Sequence, residues 1–234
     1  MRTRGAPSKA GEEKAREALL ETAQAILRSG AISMSGHGNI SVRVAGRDEI
    51  VFTSGANLKQ LDATSMVRLS LDGRLLEGEL APVAAAVVAM HTAIYQDRPD
   101  TGCVIHTHSP YATAFAVANR PIEGWSEAFG IFGLEDGVPL AAYGPRGSEL
   151  AVANIRSAMT PKTKAVLLAN HGVLAWAPQA PMAVQLGVII EEAAQSAILA
   201  GAIGGAKVVP HHLLHASLER HEHFEKAGTS RAGS

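Results

Sequence analysis

Cys103-Val104-Ile105-His106-Thr107-His108-Ser109-Pro110 is an apolar run that delivers two histidines in His-x-His spacing and stops at a proline. Side chains on a strand alternate faces, so His106 and His108 point the same way, close enough for one cation, and Thr107 takes the opposite face. Pro110 ends the strand and can open the next helix, which sets the pair where a sheet meets its loops. A second stretch, Ala165 to Leu174, reads as another buried strand with His171 at its end, followed by Gly172. Three neutral imidazoles from two strands form a facial set that leaves positions open for water or substrate. That is the pattern of a catalytic rather than a structural metal site. Three imidazoles suit Zn2+, and open positions filled by water or a chelating oxygen also suit Mn2+.

Other polar residues fall where a ligand can be met. His37 lies in Gly36-His37-Gly38-Asn39, where flanking glycines let the backbone approach a bound molecule. Tyr143 and Arg146 share a turn-forming stretch, and arginine offers a carboxylate its bidentate fork. Glu191 and Glu192 interrupt an apolar helix, so at least one requires a buried partner, of structural kind.

These residues need a scaffold. Glu12 to Arg28 reads as an amphipathic helix with Ala18, Leu19, Ala23, Ile26 and Leu27 as its stripe and Gly30 as its terminator. Ile40, Val42 and Val44 alternate with polar residues as a half-buried strand, and Glu49 to Thr53 follows after a turn. Asp72-Gly73 marks a hairpin between 67–71 and 74–76. Helices are expected from Pro82 to Tyr95, Pro110 to Asn119 and Gly147 to Met159. Pro181 to Ala202 is apolar nearly all round, which calls for burial on several sides and hints at subunit contact. A histidine-rich tail follows, in which His211 and His212 are the ones placed to reach a neighbouring subunit's site.

The 234 residues, 47% hydrophobic, suffice for one full core. A net charge of −1 leaves no electrostatic footprint for nucleic acid or an anionic membrane. The single cysteine, Cys103, rules out an internal disulfide, fits a reducing cytoplasm, and in an apolar strand reads as an inert buried thiol. No signal-peptide core opens the chain, and the most apolar segment is broken by Gln185, Glu191, Glu192 and Gln195.

Five motifs in this order resemble the class II aldolase/adducin family, typified by fuculose-phosphate aldolase, over roughly Ala15 to Gly204. They are Gly38-Asn39-Ile40-Ser41-Val42-Arg43, Thr53-Ser54-Gly55, His91-x-x-x-Tyr95-x-x-x-Pro99, His106-Thr107-His108 and Asn170-His171-Gly172. The resemblance implies a three-layer α/β/α sandwich with a central, mainly antiparallel sheet. It implies one divalent metal ion per subunit on His106, His108 and His171, and a homotetramer with active sites between subunits. Asn39, Ser54 and Gly55 match the family's anion-binding loops. The expected layout is a flexible segment over 1–12, the domain over 13–209 and a tail over 210–234 that can contact a neighbouring subunit.

The chain departs from the aldolases of that family at one place. Those read Pro-Ser-Ser-Glu ahead of the helical histidine, with the glutamate as metal ligand and acid/base and the serines on the substrate phosphate. The corresponding residues here are Ala85, Ala86 and Val87. Valine cannot move a proton and alanine cannot donate to phosphate oxygens. Glu77 and Glu79 could stand in only by a register slip of eight or more residues.

Decarboxylation of a substrate that already carries an acidic hydroxyl keeps the metal and dispenses with both missing groups. The chain thus resembles the family's decarboxylase branch, whose substrates are ortho-hydroxy aromatic or heteroaromatic dicarboxylates. Ala86 and Val87 would face a flat ring, Arg146 a carboxylate, and His37 would deliver the proton that replaces carbon dioxide or bind the second carboxylate. An aldolase acting on a non-phosphorylated substrate is the second expectation, and a non-catalytic adducin-like binding protein the third.

Overall fold

A computed structural model describes residues 9–231. In chain order the elements are α1 (Lys9–Ser29), β1 (Gly38–Arg43), β2 (Glu49–Thr53), β3 (Met66–Ser70), β4 (Leu75–Glu77), α2 (Pro82–Ala85), α3 (Val88–Asp97) and β5 (Cys103–Thr107). There follow α4 (Pro110–Val117), α5 (Glu127–Ile131), β6 (Leu140–Ala141), α6 (Glu149–Ala158), β7 (Ala165–Leu168), β8 (Gly172–Ala177), α7 (Ala180–Ala200) and α8 (His211–Arg231). One sheet of eight strands runs β4-β3-β2-β1-β5-β8-β7-β6. Every pairing is antiparallel except β6 with β7.

Helices cover both faces. Ile40, Cys103, Ile105, Val173 and Ala175 face a core shared with α1, α4 and α7, while Phe52, Val104, Leu174 and Trp176 face one shared with α3 and α6. The expected three-layer sandwich is therefore present. Double coverage also explains why β1 is buried nearly throughout rather than half-buried: Ser41, on the α3 side, is fully enclosed.

Three boundaries move. The first helix begins at Lys9, so residues 9–12 of the expected flexible segment are helical, and 1–8 lie outside the described residues. The single helix expected over Pro82 to Tyr95 is two, because Val87 (φ −112°, ψ 0°) leaves helical geometry ahead of a second β-branched residue, Val88. The strand expected from Ala165 to Leu174 is a hairpin: β7 and β8 are joined by Asn170, which adopts φ 57°, so His171 sits at the turn. A short polar residue is what tolerates that left-handed conformation. The tail beyond residue 210 forms α8, which packs on α5 of its own chain and buries Leu214.

The apolar helix α7 packs on α1, α4, β5 and β8, which accounts for its composition. Within it Glu191 is buried and Glu192 exposed, as expected of a pair of which one needs a partner. The Glu191 carboxylate accepts from the backbone N–H groups of Tyr111 (2.9 Å) and Ala112 (2.8 Å). It thereby caps α4, whose own N-cap residue, Ser109, makes no side-chain capping bond. Glu191→Ala leaves two buried donors without an acceptor. Expected is a loss of about 2–4 kcal/mol, read as a fall in Tm on the order of 10 °C in a thermal melt.

Candidate metal centre

The central strand β5 ends between two glycines. Thr107 pairs with Gly38 of β1 on one side and with Val173 of β8 on the other. A Cβ on Gly38 would lie 2.6 Å from the His106 carbonyl oxygen, and one on Gly172 would lie 2.5 Å from the Thr107 oxygen and 3.1 Å from the His108 ring. Neither place admits a side chain. The two glycines let the flanking strands close on the end of β5, and the β7–β8 turn then carries His171 over it.

The three rings meet there, with centroids 4.9, 4.7 and 4.9 Å apart. One nitrogen of each lies within 4.8 Å of the other two. His106 Nδ1–H donates to the Val173 carbonyl (3.0 Å), which turns its Nε2 inward, 3.1 Å from His108 Nε2. Nitrogens bound to one cation at about 2.0–2.1 Å are about 3.3 Å apart, so the His106–His108 spacing needs little adjustment. His171 Nε2 is buried with no hydrogen-bond partner. A buried nitrogen without a partner, on a ring packed against two others, is what a cation would satisfy, and the three residues fit one.

Electrostatics agree with the geometry. Burial, then the neighbouring His171, His108 and His91, holds His106 well below the ordinary histidine range. Burial, then His171, His37 and Arg146, lowers His108 to about 4, and burial with Arg146 lowers His171. All three present lone pairs at neutral pH.

Beside the triad opens a cavity of about 40 Å³, bordered by Ala86, Val87, Met90, Leu168, Arg146 and His171, with further small residues around them. None of its lining residues is a carboxylate. The break between α2 and α3 is what turns Ala86 and Val87 into it. Arg146 enters on the loop ahead of α6, where Gly147 (φ 78°) passes close over Ala86. A space of that size accommodates a carboxylate.

The remaining expected residues divide. His37 is exposed and its ring stacks 6.2 Å from that of His108, with Nδ1 2.7 Å from Ser35 Oγ. Asn39 is buried, and its amide donates to the Gly55 carbonyl (2.9 Å) and Thr53 Oγ1 (3.3 Å). It thus fixes the Ser54-Gly55 loop from beneath, beside the paired His37 and Asn57, and has no donor left for a ligand. Space around Gly55 is open. Tyr143 is 59% exposed and does not line the cavity.

Glu77 is engaged by Arg16 and Arg68 at the far edge of the sheet, which removes it as a replacement base. Sequence reasoning left Met90, Leu168 and Ser148 unassigned, because apolar or capping residues carry no chemical signature. It also assigned no partner to His91, whose Nδ1 lies 2.8 Å from Ser41 Oγ.

Comparison with known proteins agrees with this architecture. Residues 17–198 match the model of the class II aldolase and adducin N-terminal domain. A 5-deoxy-D-ribulose 1-phosphate aldolase of Bacillus thuringiensis serovar kurstaki is 31% identical over 199 residues, covering 85% of this chain and 91% of its own. A 5-methylthioribulose-1-phosphate/5-deoxyribulose-1-phosphate aldolase of Rhodospirillum rubrum is 31% identical over 180 residues, covering 77% and 78%. Among solved structures, an L-fuculose 1-phosphate aldolase superposes with a TM-score of 0.80 at 27% identity, covering 89% of this chain and 96% of its own.

Proposed function

The chain belongs to the class II aldolase/adducin family, and from that premise we propose that it is a metal-dependent carboxy-lyase. Its substrate is an ortho-hydroxy aromatic or heteroaromatic dicarboxylate, of the hydroxymethylpyridine-dicarboxylate or dihydroxyphthalate type. The observation that carries this reading is the cavity beside the histidines, which has an arginine at its edge, Ala86 and Val87 in its wall and no carboxylate.

His106, His108 and His171 would hold one Zn2+ or Mn2+ per subunit, supplying fixed positive charge where negative charge develops as carbon dioxide leaves. Arg146 orients the departing carboxylate through a bidentate pair. Ala86 and Val87 keep water from that carboxylate, whose charge must disperse for the bond to break. His37 faces the mouth from the solvent side. With its Nδ1 2.7 Å from Ser35 Oγ and its Nε2 free of that contact, it delivers the proton that replaces carbon dioxide on the ring carbon. Asn39 holds the Ser54-Gly55 loop at the position where the second carboxylate is met.

In the same reading the domain of residues 13–209 assembles as a cytoplasmic homotetramer with sites between subunits, and the segment after residue 210 contacts a neighbour. The names of the 31%-identical relatives, both aldolases of sugar phosphates, favour an aldolase as the second reading, and alanine at 85 and 86 turns that reading toward a non-phosphorylated substrate.

The test is carbon dioxide release from a panel of ortho-hydroxy aromatic dicarboxylates, with and without chelator. Expected is release that chelator abolishes and added Zn2+ or Mn2+ restores. No release from metal-loaded protein, together with aldehyde formation from hydroxylated ketoses, would overturn the decarboxylase in favour of the aldolase.

A further inference from the structure

His91 and Tyr95 are one helical turn apart on α3, so both reach the same point of the sheet beneath it. That point is Ser41 on β1. Three hydrogen bonds meet there, all buried. His91 Nδ1 lies 2.8 Å from Ser41 Oγ, Ser41 Oγ lies 3.0 Å from the Tyr95 hydroxyl, and the Tyr95 hydroxyl lies 2.9 Å from the Ser41 carbonyl.

A count of protons fixes their direction. A carbonyl only accepts, so Tyr95 donates to it. Its single proton is then committed, and Ser41 must donate to the Tyr95 oxygen. The serine's only proton is committed in turn, so the first bond forms only if His91 donates from Nδ1. Had His91 its proton on Nε2, two protons would serve three contacts and an N–H would be buried without an acceptor. His91 is 0% exposed and its Nε2 has no partner. An orphaned buried N–H is the rarer defect of the two.

We propose that His91 is held as the neutral Nδ1–H tautomer and acts as a positioning residue for the metal centre, through Ser41. The chain of three donors ties α3 to β1. Immediately ahead of α3, four residues before His91, stands Val87 in the wall of the cavity, and two residues before Ser41 on β1 stands Asn39, paired with His106. The helix and β1, the neighbour of ligand-bearing β5, are thus registered through this buried polar cluster, alongside the bond that Arg43 of β1 donates to the Tyr95 carbonyl (3.3 Å). Polar specificity of this kind fixes a geometry that apolar packing alone leaves free to slide. The tautomer stands whatever reaction the site performs. The positioning role rests on the proposed metal centre.

The experiment is ¹⁵N NMR of the imidazoles in metal-free and Zn2+-loaded protein, with His91 assigned by its loss in a variant. Expected for His91 is a protonated, pyrrole-like Nδ1 and an unprotonated, pyridine-like Nε2 in both forms. Paired variants test the role. Asn places its amide N–H where Nδ1 stands, whereas Gln places it where Nε2 stands and is the closer match in volume.

His91→Asn is therefore expected to keep Zn2+ affinity within a few-fold and His91→Gln to lose tenfold or more, the range that misplaced supporting groups produce. A pyrrole-like Nε2 would overturn the tautomer. Equal affinities of the two variants, or better retention in Gln, would overturn the positioning role even if the tautomer holds. Metal binding is read directly, so failure of the decarboxylase assay bears on neither result.

Discussion

His106→Ala is expected to reduce bound metal from about one ion per chain to a trace and to abolish activity, whichever lyase reaction the centre supports. His106 is 1% exposed and is the triad member most constrained by its surroundings, through the bond to the Val173 carbonyl. The loss must exceed the roughly 10–100-fold cost of disturbing a supporting group, because a ligand itself is removed. The substitution also strips a buried carbonyl of its donor, at about 1–3 kcal/mol, so reduced stability could be mistaken for lost chemistry.

His171→Ala separates the two effects. His171 sits at the β7–β8 turn and its Nε2 has no hydrogen-bond partner among the described residues, so its removal is expected to leave Tm of the metal-free protein nearly unchanged. Elemental analysis after dialysis and a thermal melt, run on both variants, give the answer. Full activity of either variant in chelator would overturn the metal-dependent reading altogether.

The centre was legible because its signals are local. His-x-His on a strand needs only the two-residue alternation of a pleated chain to put both rings on one face, and the proline that follows marks the strand end. His171 joins the cluster from a turn, where the sequence suggests a strand. Ala165 to Leu174 is apolar without alternation, and a continuous apolar run does not show where it reverses when both faces of the sheet are covered. Only Asn170 carried the turn signal, and asparagine before a histidine of interest is easily read as part of the motif instead.

Asn39 illustrates another limit. Its type announces hydrogen bonding but not with whom, and the partners, Thr53 and Gly55, are 14 and 16 residues away in the chain. The cavity was half legible. Missing serines and glutamate at 85–87 can be counted in sequence, whereas its small volume depends on Gly147 closing over Ala86, a contact of residues 61 apart that no period encodes.

Restoring a carboxylate by Val87→Glu separates the candidate reactions more sharply than any loss of function. Val87 is 3% exposed, in the wall of the cavity that the proposed reading gives to the departing carboxylate. A second carboxylate placed about 4 Å from it costs about 4 kcal/mol at an effective dielectric constant near 20, close to a thousandfold in rate or affinity. In a decarboxylase, Val87→Glu is therefore expected to reduce carbon dioxide release by two to three orders of magnitude, and the neutral Val87→Gln to retain far more of it. The difference between Glu and Gln measures charge alone, since both side chains have nearly the same volume and both crowd the cavity.

Stability gives an independent reading. Without metal the buried glutamate has only Arg146 of the same cavity as a cation and is expected to lower Tm, and added Zn2+ should restore more of that loss for Glu than for Gln. If the chain is instead an aldolase that lost its base, the ordering reverses. Val87→Glu would then gain carbon–carbon cleavage that wild type and Val87→Gln lack, because only the carboxylate can take up and return a proton. Gain in Glu alone selects the aldolase. Loss in Glu beyond that in Gln selects the decarboxylase, since only a substrate that brings its own negative charge into the cavity would be repelled there.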